Sequence, residues 1–175
     1  MYCKIDNSFL NLNFDYTYFN SDIKVAHYYS NERKGGSTFY MMKDLKKFWS
    51  LHYKDIFTIK PNVRYAIFTG QNLVTPHTDG GNDSVALNFY LNTNADATIF
   101  YEKKHDDVKP YPKTKSYDVT QLNEIGRFVA YNCSTYLMDV QTIHGIDKKT
   151  NEDRVLISYR WKNYSFNQIL NSLKL

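Results

Sequence analysis

A mainly β fold with flanking helices is predicted by three features of this sequence. Aromatic residues make up 17% of the chain, with 16 Tyr and 11 Phe, which suits half-buried strands better than a helical bundle. From residue 63 onward, short apolar or alternating segments recur between turns at the spacing of a sandwich or barrel. At 175 residues the chain can bury one substantial core, and no repeat or low-complexity linker divides it. The expected organisation is therefore one domain over 1–175, with a helix and strand support in 1–62, the core in 63–161 and a closing segment in 162–175.

The N-terminal sixty residues carry short aromatic segments, Phe14 to Phe19 and Val25 to Tyr29, then a Gly35-Gly36 break. A helix is expected next. Met41, Leu45, Phe48 and His52 share one face, with Ser37 or Thr38 as cap, and that face should pack on the outside of a sheet. The expected strands are Arg64 to Thr69, Leu73 to His77, Val85 to Leu91, Thr98 to Glu102, Arg127 to Tyr131, Thr135 to Val140 and Val155 to Trp161. The stretch from Lys103 to Ser116, rich in Lys, Asp, Pro and Tyr, reads as an exposed loop, and Phe166 to Leu173 as a short helix.

Composition narrows the function. A net charge of +4, from 22 basic and 18 acidic residues, gives a weak field, so nucleic-acid binding is permitted but not favoured. The lysines at 103, 104, 109, 113 and 115 are diluted by Asp106 and Asp107, as on a solvated loop. Cys3 and Cys133 form no CxxC or Cys/His spacing, which points to a reducing compartment and a cytoplasmic protein. No stretch has the length of a signal peptide's apolar run or of a membrane span.

His77-Thr78-Asp79 is the first chemical signal. In an extended segment residues i and i+2 point the same way, so both side chains can address one ion. Alone it is weak, because five His and 14 Asp in this length produce about 0.4 such pairs by chance. His105-Asp106-Asp107 has the same form but lies among lysines before Pro110 and Pro112, without a metal role. His27 and His52 read as structural. His77 differs in following Leu73, Val74 and Pro76 and preceding Gly80-Gly81, as at a strand end. The signal sharpens with His144, 67 residues on, and Arg154, ten residues beyond that. Two imidazoles and a carboxylate leave three positions open on an iron(II) ion. Arg154 opens an alternating strand, and a buried guanidinium there requires an anion.

These residues resemble the 2-oxoglutarate/Fe(II) dioxygenase superfamily, whose double-stranded β-helix, a jelly-roll and cupin-like core, carries HxD, a distal His and a basic residue about ten positions later. The resemblance spans about residues 63 to 161. It implies that His77, Asp79 and His144 are the catalytic metal ligands, with Arg154 on the far carboxylate of 2-oxoglutarate. Asn88-Phe89-Tyr90-Leu91-Asn92 resembles the Tyr-Leu-Asn strand of the prolyl hydroxylase branch, which places Tyr90 on the same carboxylate. Phe68 departs from that branch, where a Tyr is common. Arg160, six after Arg154, instead resembles the paired arginines of AlkB nucleic-acid demethylases and is grouped with the co-substrate.

The resemblance implies Fe(II), 2-oxoglutarate and O2 as cofactors and a hydroxylase acting on a protein, peptide or amino-acid side chain, prolyl foremost. Nucleobase demethylation is the second reading and a non-catalytic cupin-like binding module the third. A lid is expected from Lys103 to Ser116 or from Tyr28 to Phe39. The sequence does not disclose the substrate or the oligomeric state.

Overall fold

In a computed structural model of the chain, the described residues form ten strands in two antiparallel sheets. The structure describes residues 1–6, 37–40, 45–46, 49–50, 53–69, 74–79, 82–112, 115–150, 152 and 154–174, with 37–40 and 63–69 as backbone only. The strands are β1 (Tyr2–Ile5), β2 (Ser37–Tyr40), β3 (Val63–Thr69), β4 (Val74–His77), β5 (Asp83–Asn92), β6 (Ala97–Lys103), β7 (Leu122–Val129), β8 (Thr135–Asp139), β9 (Ile143–Asp147) and β10 (Arg154–Lys162). A short helix, Phe166–Leu170, follows, closed at its start by a Ser165–Gln168 capping box.

The larger sheet has the order β1-β8-β5-β10-β3-β2 and the smaller β4-β9-β6-β7. From β3 to β10 the chain crosses between the sheets at every step except β6 to β7, which pair directly. That interleaving of eight strands is a double-stranded β-helix, the jelly-roll arrangement. β1 and β2 extend the larger sheet beside β8 and β3.

Strand alternation splits the core in two. Val85, Leu87, Phe89 and Leu91 of β5 and Ile157, Tyr159 and Trp161 of β10 point outward, where they meet Leu45, Trp49, Tyr53, Phe57, Phe166 and Ile169. Residues 45, 46, 49 and 50 are helical. The expected external helix is therefore present, with Leu45 and Trp49 buried; Met41, Phe48 and His52 lie outside the described residues, as do Phe14 to Phe19, Val25 to Tyr29 and Gly35-Gly36. Ser37 and Thr38, expected as its cap, instead lie in β2. The opposite faces, Ala86 and Tyr90 of β5 and Leu156 of β10, join Phe100, Phe128, Tyr136, Met138 and Val140 between the sheets.

Four strands depart from expectation. β1, β2 and β9 are additional, and β7 covers Leu122–Val129 rather than 127–131. β7 ends the smaller sheet among the described residues, and its exposed Glu124 and Arg127, 2.5 Å apart, place charge on that strand. Among the described residues no helix is long and apolar enough to cross a membrane.

Candidate metal and anion site

His77 ends β4 and His144 lies on β9, and the two are register partners in the smaller sheet. Gly145 lets those strands come together. A Cβ there would stand 2.9 Å from the Val74 carbonyl oxygen, so any side chain would force β4 off β9. Asp79, just past β4, donates its backbone N–H to the Val140 carbonyl at 3.0 Å, which holds it against the end of β8.

One ligand atom from each of His77, Asp79 and His144 falls within 4.8 Å of the others. The Nε2 atoms of His77 and His144 lie 3.4 and 3.7 Å from Asp79 Oδ1. Two imidazoles and a carboxylate gathered this closely would suit one divalent metal ion. Each imidazole is also set in the tautomer a metal needs. Nδ1 of His77 donates to the Thr75 carbonyl and Nδ1 of His144 to the Thr142 carbonyl, both at 2.9 Å, so the Nε2 atoms are left facing Asp79.

The electrostatics follow from burial and pairing. Burial alone would push the Asp79 carboxyl up, but Arg160, both imidazoles and the His77 contact outweigh it and hold it well below the usual carboxylate range. Burial, then the neighbouring His77, pushes His144 down to about 4. At neutral pH the cluster is thus an ionised carboxylate with a neutral His144, a donor set suited to a divalent transition metal.

The sequence resemblance groups Arg160 with the co-substrate residues. The structure places its Nη1 on Asp79 Oδ2 in a short ion pair, and its Nε donates to Ser158 Oγ at 2.7 Å. Arg154 lies elsewhere on β10, 1% exposed, with its guanidinium carbon 4.9 Å from the centre of the Tyr90 ring. Its Nη2 donates to Thr98 Oγ1 at 2.7 Å. Among the described residues no carboxylate pairs with Arg154, and its Nε and the fully buried Tyr90 hydroxyl have no partner. Unmet donors from a guanidinium and a phenol, side by side in the interior, fit a carboxylate ligand.

Thr98, Asn88 and Ser158 escaped the sequence reading as site residues. Their signal is polarity at inward positions of apolar strands, which becomes visible only once the register is known. His105 is exposed and apart from the cluster, and the side chain of Phe68 is not among those described. The loop after β6 is largely exposed as expected, but its far end is tied to the site. Thr78 N–H donates to the Lys115 carbonyl at 3.0 Å, Tyr117 N–H to the Pro76 carbonyl at 2.8 Å, and Lys115 Nζ to the Asp79 carbonyl at 3.2 Å. An open groove of about 450 Å³ at Lys4, Tyr131, Asn132 and Ser134 involves none of these residues.

No protein-family profile and no curated protein matches the chain. Solved structures to which it is similar, all at low identity, include the following. E. coli YcfD aligns with a TM-score of 0.46 and 13% identity over 82% of this chain and 39% of that one. HygX from Streptomyces hygroscopicus, solved with nickel and 2-oxoglutarate bound, aligns with a TM-score of 0.45 and 10% identity over 81% and 76%. An oxalate decarboxylase aligns with a TM-score of 0.39 and 11% identity, and this chain spans 31% of it.

Proposed function

We propose that the chain is an iron(II)- and 2-oxoglutarate-dependent oxygenase. The observation that carries this reading is the pair of imidazoles whose Nδ1 protons are held by carbonyls, so that both Nε2 atoms converge on Asp79 Oδ1. The partnerless donors of Arg154 and Tyr90 support a dicarboxylate co-substrate rather than a metal alone.

In this reading His77, Asp79 and His144 would hold the metal, which would supply the binding of the oxo-acid and of dioxygen. Arg154 and Tyr90 hold the far carboxylate, and Thr98 steadies the guanidinium. When bound, iron and 2-oxoglutarate supply dioxygen activation coupled to oxidative decarboxylation, releasing succinate and carbon dioxide and hydroxylating a C–H bond. The stacked Phe128 and Tyr136 rings, 4.0 Å apart, and Phe100 wall the interior with apolar surface and exclude bulk water.

A protein, peptide or amino-acid side chain is the proposed substrate class, with prolyl first on the Tyr-Leu-Asn strand around Tyr90. The second reading, nucleobase demethylation, rests on the arginine pair and the mild basicity, and it predicts strongly salt-dependent binding. The proposed compartment is the cytoplasm.

The test is anaerobic titration with iron(II) and 2-oxoglutarate, read by the visible charge-transfer band of the chelate. The band should appear in the unmodified protein, vanish in His77→Ala, and require far more 2-oxoglutarate in Arg154→Ala. Its absence from folded unmodified protein would overturn the oxygenase in favour of a cupin-like binding module.

A further inference from the structure

We infer that Asn88 and Ser158 are positioning residues for the metal centre, which act through Arg160 to decide which oxygen of Asp79 faces a bound cation. This rests on the reading of His77, Asp79 and His144 as ligands.

The register brings the two residues together. Asn88 on β5 and Ser158 on β10 are direct cross-strand partners, and Arg160 follows two residues later on the same inner face. All three are buried, at 5%, 0% and 7% exposure. Strands otherwise packed with apolar side chains tolerate such groups only when their hydrogen bonds are used.

Donor and acceptor chemistry gives the chain a direction. A guanidinium only donates, so Ser158 Oγ must accept from Arg160 Nε, at 2.7 Å. The hydroxyl must then give its own proton elsewhere, and it does so to Asn88 Oδ1, also at 2.7 Å. That contact sets the Asn88 amide with its carbonyl toward Ser158 and its Nδ2 toward Met138 Sδ, 3.1 Å away. Asn88 thereby fixes Ser158, Ser158 fixes the roll of the guanidinium, and the guanidinium occupies Asp79 Oδ2.

The consequence lies at Asp79. With Oδ2 taken, Oδ1 alone faces both imidazoles. A carboxylate held in this way ligates through one oxygen, which preserves three open positions on a six-coordinate ion. Loss of the relay frees the carboxylate to rotate and offer both oxygens.

The experiment is a Co(II) titration of the whole chain, read by d–d absorption, in the unmodified protein, Ser158→Ala, Arg160→Met and the double variant. Each single substitution should weaken Co(II) binding by about 10-fold or more, the usual effect of removing a group that orients a ligand, and should change the band shape. The double variant should bind no more weakly than Arg160→Met, because Ser158 acts through Arg160. Ser158→Ala with unchanged melting temperature, affinity and spectrum would overturn the inference, and so would losses that simply add. If Ser158→Ala does not fold, Asn88→Ala carries the same expectation in the same cycle. Unmodified protein that takes up no Co(II) would overturn the metal reading itself, and this one with it.

Discussion

The space between the sheets holds two buried arginines on one strand, and they are treated in opposite ways. Arg160 meets a carboxylate and a serine hydroxyl, so its charge is answered within the chain. Arg154, more deeply buried, meets a threonine hydroxyl and the face of a tyrosine ring, and it keeps one N–H without a partner. A satisfied buried charge builds shape, whereas one that the described residues leave unsatisfied calls for a further partner.

The contrast is broken most severely at Arg154. Arg154→Met should weaken 2-oxoglutarate binding by about 100-fold or more, because one partner of a buried charge pair is lost. The same change should raise the melting temperature of ligand-free protein, since an uncompensated charge is replaced by an apolar chain of similar length. Calorimetry with and without 2-oxoglutarate reads both effects, and a ligand-free melting temperature that falls would show that Arg154 already has its partner.

Acid tests the opposite end. His144 is held neutral, with its pKa lowered from 6.5 to about 4 by burial and then by His77. The folded state therefore keeps a proton off that the unfolded chain accepts. Its contribution is complete above about pH 6.5 and is lost as pH falls toward 4, on the order of 3 kcal/mol in all. Urea unfolding of metal-free protein between pH 7 and 4 should show this loss, and His144→Gln should flatten that part of the profile.

Gly145→Ala is the smallest of the three changes. Its methyl group must displace the Val74 carbonyl, at a cost of about 1–3 kcal/mol in overpacking. It should lower the melting temperature by several degrees and weaken metal binding by moving His77 away from His144. Thermal unfolding at unchanged metal affinity would show that the strands need not approach so closely to set the imidazole pair.

The triad was legible because strand alternation puts residues i and i+2 on one side, and because order and spacing from His77 to Arg154 restrict chance matches. Tyr90 falls on the expected strand Val85 to Leu91, which the structure forms within β5. β9 was not legible, since His144 and Gly145 interrupt the apolar pattern of its five residues, and its pairing is satisfied by β4 and β6 rather than by local preference. β7 was placed too late in the chain because an edge strand carries charge where a buried one would be apolar. The partner of Arg160 could not be read at all. Its contact with Asp79 spans 81 residues and joins two sheets, so only the register decides it.

The loop following β6 is fastened at its far end by main-chain bonds from Lys115 and Tyr117 to Thr78 and Pro76, and its near end continues from a paired strand. Mechanically it is a span between two fixed anchors rather than a flap on one hinge. Displacing its far anchor requires breaking bonds on either side of His77, so load on the loop is carried directly by the backbone that presents a candidate metal ligand.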